Sequence, residues 1–172
     1  MWKKPGCTLT TKDYEILQHM LDEYYDQLEA MTWLLRQKLK TARVVRREDM
    51  PDNVVTLNSR ISFRVGNGVP ETRIISRDRS AGPVGYFLPI TTMRGLSLLG
   101  LSEGQAAVVS RSPSVAEILQ VTAVHYQPER AEKLRNVEAI RPVFRLIEGG
   151  RQGGPALAGT HTDGDDPGPS AA

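Results

Sequence analysis

Residues 54–68 read VVTLNSRISFRVGNG, and the chain changes character within them. Val55, Leu57, Ile61, Phe63 and Val65 alternate with Thr56, Asn58, Arg60, Ser62 and Arg64. A two-residue period places the apolar side chains on one face of a strand and the polar ones on the other. Gly66-Asn67-Gly68 follows with residues that accept positive φ, the chemistry of a hairpin turn. The spacing predicts one strand over 54–65 and a second over 69–77.

On the N-terminal side the period is different. Tyr14, Leu17, Leu21, Tyr24, Leu28, Met31 and Leu35 recur at alternating spacings of three and four, a heptad seam. No Gly or Pro lies between residues 7 and 50. Residues 12–43 are therefore one long helix or two helices joined by a turn. The TLTT at 8–11 offers helix caps, and Asp13 and Glu15 suit the positive end of the helix dipole. Pro51 ends the helical pattern at Met50.

On the C-terminal side, 77–85 is a loop and 86–91 a short buried strand, with Pro89 suggesting an edge or a bend. Thr92 caps a short helix ending at Gly100. Two more strands are expected at 104–110 and 115–126, then an amphipathic helix over about 130–147. Residues 148–172 hold seven Gly and three Pro without an aromatic. They read as a disordered tail, and residues 1–11 as a mobile N-terminus. The fold class is α+β: a helical hairpin over 12–47, then an antiparallel sheet with one short helix over 51–129.

Charge is polarised although the net value is only +2. Six acids stand against one lysine in 12–29, and six bases stand unopposed in 36–47. Antiparallel arms would lay one stretch beside the other. The basic run could also touch phosphate, although such charge is non-specific evidence. The single cysteine, Cys7, rules out an intramolecular disulfide and fits a reducing compartment. No apolar run approaches the roughly 18 residues that span a bilayer, and the start lacks a secretory pattern. The expected setting is cytoplasmic.

Asp22, Glu23, Asp26 and Glu29 crowd the middle of the helical region, where a hairpin would turn. Hard carboxylate oxygens at such a tip suit Mg²⁺. The plainer reading is a solvated helical face, and no catalytic residue, resident metal or cofactor is assigned. Tyr24, Tyr25 and Trp33 read as hairpin-packing residues. His19, His125 and His161 lack ligand spacing, and no G-x-S-x-G elbow occurs.

Three stretches carry a resemblance: PDNVVTLNSRISF (51–63), GLSLLGLSEGQ (95–105) and VTAVHYQPE (121–129). In order and spacing they resemble the C-terminal domain of the GreA/GreB transcript-cleavage factors. The likeness is nearest to their short relative Rnk, the regulator of nucleoside diphosphate kinase. The resemblance implies an FKBP-like fold that docks on RNA polymerase at its secondary channel, with the hairpin pointing inward. It implies a transcription elongation regulator without its own catalysis. The docking surface it suggests lies at Thr92, Arg94, Gly95 and Leu99. Two features depart from it: Thr92-Met93 replaces the Ser-Pro of the cleavage factors, and no D-L-x-E-N tip motif occurs.

Three alternatives stand beside this expectation. One is a cleavage factor whose acidic tip uses polymerase-bound Mg²⁺. Another is an FKBP-like prolyl isomerase. The third is a coiled-coil module whose uninterrupted seam would make it a dimer rather than a monomer.

Overall fold

The structure is a computed structural model that describes residues 6–23, 29–78, 83–112 and 115–140. The tail at 148–172, the end of the C-terminal helix expected past 140, and Tyr24, Tyr25, Asp26 and Leu28 lie outside them. The chain through Arg141 forms one compact unit. Its elements are β1 (Thr8–Thr10), α1 (Thr11–Glu23), α2 (Glu29–Thr41), β2 (Arg43–Val45), β3 (Arg60–Val65), β4 (Glu71–Ser76), β5 (Phe87–Pro89), α3 (Met93–Leu98), β6 (Ala106–Ser112), β7 (Val115–Tyr126) and α4 (Pro128–Ile140).

The helical region reverses. Thr8 pairs with Arg43 and Thr10 with Val45 in a parallel two-strand ladder, and the Arg43 amide donates to the Cys7 carbonyl at 2.8 Å. A straight helix between these points would hold them about 45 Å apart. α1 and α2 are therefore antiparallel arms. Three seam residues, Leu17 of one arm and Met31 and Leu35 of the other, are buried in the common core together with Met20. β1 and β2 were not expected. Each is three residues long, too short for a visible period, and each exists only because the other pairs with it. Within the expected mobile N-terminus, Cys7, Leu9 and Thr10 are buried, and Thr10 of the TLTT stretch caps α1 by accepting from the Asp13 amide at 2.9 Å.

The five-stranded sheet runs β5-β4-β3-β7-β6, antiparallel except for the β4–β5 pair. β5 lies at an edge, where Pro89 costs no ladder bond. The strand expected over 54–65 begins only at Arg60. In 54–59, Val54, Val55, Thr56 and Leu57 are all buried regardless of parity, and Asn58 takes φ +64°. Alternation is not the rule there: the stretch is a turn, closed by the Ser59 amide donating to the Thr56 carbonyl at 3.1 Å. From Arg60 onward the expected pattern holds, with Ile61 and Phe63 inward and Arg60 and Arg64 outward.

α3 lies on the sheet's inner face through Leu96 and Leu98, both fully buried. A side chain at Gly95 would run into the Pro89 carbonyl, so glycine is what lets α3 approach β5. Gly100 follows with φ +81°, and a Cβ there would lie 2.5 Å from Cys7 Sγ. Gly104 shares that φ in open space. Gly104→Ala should therefore cost only the backbone strain, about 1 kcal/mol. Gly100→Ala should add a collision, for a total of about 3 kcal/mol. Urea unfolding of the two variants measures the difference, and equal losses would contradict this packing.

Candidate functional site

The site is built where the hairpin stands on the domain. Lys38, in the last turn of α2, belongs to the basic run 36–47, yet it is not on the surface. It is 6% exposed, and its ammonium donates to the Leu99 carbonyl just past α3 and to Cys7 Sγ at 3.7 Å. Burial pushes its pKa below the ordinary lysine value, with the Cys7 sulfur acting in the opposite direction. The Thr8 amide donates to the Gly100 carbonyl at 2.9 Å, and the Val55 amide to the Leu101 carbonyl at 2.8 Å. The segment after α3 thus holds β1, α2 and residue 55 together. Lys38 lies three residues past Leu35, at the next position of the heptad seam, and that spacing is the one sequence signal for its burial.

The four expected docking residues separate into two kinds. Leu99 is fully buried and Gly95 buried, so neither presents a side chain to a partner. Both serve to position α3. Thr92 and Arg94 are half-buried. Thr92 Oγ1 accepts from the Gly95 amide at 3.1 Å and donates to the Pro89 carbonyl at 2.7 Å. Arg94 forms a two-pronged pair with Glu117 of β7 at 2.9 and 3.0 Å. Its neighbour Ile118 stands opposite Val108 of β6, and this cross-strand pair is exposed, 54% and 69%. Alternation marks the two as outward-facing, but their partnership needed the register.

At the far end of the arms, Asp22, Glu23 and Glu29 are exposed on either side of the reversal, and Glu23 meets His19 at 3.3 Å. Among the described residues no three His, Cys, Asp or Glu side chains are grouped to hold a metal. Trp33, expected to pack within the hairpin, is 59% exposed on α2. Met31, Thr32 and Leu35 take the buried positions around it. Ser62 Oγ lies 2.7 Å from His125 Nε2 and 2.7 Å from Thr72 Oγ1, on the exposed face of the sheet and outside any described cavity.

The stretches VVTLNSR and YQPE prove to be two halves of one latch. Gln127 is fully buried, and its amide nitrogen donates to the Pro51 and Val54 carbonyls at 2.8 and 2.7 Å. Glu129, 6% exposed, accepts from the Thr56 hydroxyl at 2.6 Å. α4 continues the latch: Arg47 meets Glu132 at 2.9 Å, and Lys133 donates to the Met50 carbonyl. Beside it lies a cavity of about 210 Å³, lined by Asp13, Leu57, Arg77 and Glu129 among others. Asp13 is 3% exposed, and its carboxyl is pushed up to about 6, first by burial and then by Glu129. No helix among the described residues is long and apolar enough to cross a membrane.

Gln127→Ala should lose about 2 kcal/mol, because the buried Val54 carbonyl would be left without a donor and the Pro51 carbonyl would keep only the Val54 amide at 3.3 Å. Gln120→Ala, at an exposed site that accepts from Arg64 and donates to Gly104, should lose less than about 1 kcal/mol. Chemical denaturation of both variants compares them.

No family model matches the chain. Over 98 residues it is 33% identical to the regulator of nucleoside diphosphate kinase of Escherichia coli strain K12, covering 56% of this chain and 72% of that protein. The protein of that name from Shigella flexneri matches with the same figures. A solved prokaryotic transcription elongation factor GreA/GreB from Nitrosomonas europaea superposes with a TM-score of 0.57 at 24% identity, over 70% of this chain and 100% of that one. This likeness confirms the fold expected from the quoted motifs. The chain belongs to the family of the regulators of nucleoside diphosphate kinase.

Proposed function

We propose that this protein is a transcription elongation regulator of the Gre/Rnk type. It binds RNA polymerase at the rim of the secondary channel and directs its hairpin inward, without a catalytic step of its own. The observation that carries the reading is the hairpin. Its two arms of 13 residues reach only about 20 Å beyond their base at 1.5 Å per residue. Buried contacts of Cys7, Thr8 and Lys38 seat that base against the segment that follows α3. A short probe on a fixed base can occupy a channel mouth and exclude longer factors without reaching a distant catalytic metal.

In this reading Thr92 and Arg94 line the docking surface, and Leu99 and Gly95 hold α3 in place behind them. Asp22 and Glu23 remain the candidates for metal-assisted cleavage, because they stand exposed near the reversal. A prolyl isomerase would use an apolar, aromatic-lined hollow. The described cavities are lined chiefly by charged and polar side chains, which does not favour that activity.

Core RNA polymerase should retain the protein in a pull-down, and a cleavage factor should displace it; no retention would sink the reading. Arg94→Glu should weaken retention about tenfold or more, the loss of one well-placed charge contact. The swap Arg94→Glu/Glu117→Arg rebuilds the internal ion pair. If it restores stability but not binding, Arg94 is a docking residue; if it restores both, Arg94 only supports the fold. Backtracked transcription complexes should release no short RNA. Release that disappears in an Asp22→Ala/Glu23→Ala variant would establish the cleavage alternative.

A further inference from the structure

Asp13 and Glu129 raise a question that neither the hairpin nor the docking surface answers. Asp13 sits in the first turn of α1, and Glu129 in the first turn of α4. Both are more than nine-tenths buried, and both line the same cavity. Their recorded partners are neutral. Asp13 accepts from the Leu57 amide at 3.4 Å and interacts with the Thr10 hydroxyl, and Glu129 accepts from the Thr56 hydroxyl.

The basic groups facing the cavity are Lys12, Arg47 and Arg77. Arg47 is held by Glu132 at 2.9 Å, Arg77 faces Asp78 at 4.0 Å, and Lys12 is exposed. Among the described residues none forms an ion pair with either buried carboxylate, although the Lys12 charge favours the ionised form of Asp13 from a longer range. Beside the buried Glu129, the Asp13 carboxyl resists ionisation, since its charge would be desolvated and repelled, and the Lys12 ammonium offsets only part of this. The pair spans the junction between the hairpin base and the end of the domain, so its charge state bears on how the two are joined.

We propose that Asp13 and Glu129 form a proton-operated latch: one bound proton lets α1 and α4 close on the shared cavity, and its loss sets two like charges against each other across that junction. Acidification tightens the hairpin base, and alkalinisation loosens it. The raised carboxyl of Asp13, at about 6 against 3.8 for the free side chain, agrees with this arrangement. Between those two values the folded chain holds a proton that the unfolded chain has released. Stability therefore falls as pH rises through that window and levels off above it.

The direct test is a carboxyl ¹³C titration of the intact chain by NMR. Asp13 should titrate near pH 6, and Glu129→Gln should lower that midpoint by about half a unit or more, as expected when a neighbouring charge is removed. A midpoint near the ordinary carboxylate value, or one that Glu129→Gln leaves in place, overturns the proposal. Thermal unfolding at about pH 5 and about pH 8 supplies a second arm, read as the linkage slope. Asp13→Asn should flatten the loss of Tm between the two conditions by about 3 °C or more, whereas Glu15→Gln on the exposed face of α1 should follow the wild type. A parallel course for Asp13→Asn and the wild type refutes the latch. Should Asp13→Asn fail to fold, the wild-type titration decides.

Discussion

The ammonium of Lys38 on the Leu99 carbonyl is the contact on which the architecture turns. A lysine without a carboxylate partner is costly to bury, because its charge leaves water for carbonyl dipoles and a thiol. The cost is met by position. The carbonyl past the short α3 faces the point where α2 ends and β1 begins, and one amine reaches it from the hairpin side. Around that point the chain places only what fits: Gly100 with no Cβ, Cys7 as a small sulfur, Leu9 beneath. Moving any of these displaces both the hairpin and α3, the two elements that a polymerase-binding surface would have to hold in fixed relation.

A second set of polar contacts closes the opposite side of the same base. Thr56, Gln127 and Glu129 join the turn before β3 to the start of α4, and Asp13 brings α1 to the same place. Such groups add specificity when fully satisfied and become costly when one partner is missing. The hairpin is thereby joined to the domain by two unlike fastenings: a cation on a carbonyl, and carboxyls among hydroxyls and amides. The first rests on a lysine whose burial pushes its pKa down, while the second contains a carboxyl pushed up to about 6.

The elements legible in the sequence were those with internal periodicity. The heptad seam, the alternation from Arg60 to Val65, the glycine turn at 66–68 and the long strand over 115–126 each declare themselves within their own residues. What stayed hidden depends on pairing across the chain. β1 and β2 are three residues each and define one another. Val54 to Leu57 look like a strand because Val55 and Leu57 share the parity of Ile61 and Phe63, yet all four are buried and no face is left for water. Lys38 and Trp33 exchanged the expected places, the cation inside and the aromatic ring outside, because a specific acceptor outweighed general hydropathy. For the site, the motifs at 54–60 and 126–129 were visible as motifs. That they grip each other was not, since hydrogen bonding between segments so far apart leaves no periodic trace.

The parallel ladder of β1 and β2 has an evolutionary consequence. Because the chain enters and leaves the hairpin side by side, the part of the hairpin beyond Met20 and Met31 is, mechanically, an extension of a finished base. Adding a heptad to each arm would preserve the seam and lengthen the probe by about 10 Å without disturbing a single contact at its foot. Reach then becomes an adjustable quantity, and relatives with longer or shorter probes can diverge in what they touch while retaining the same way of standing.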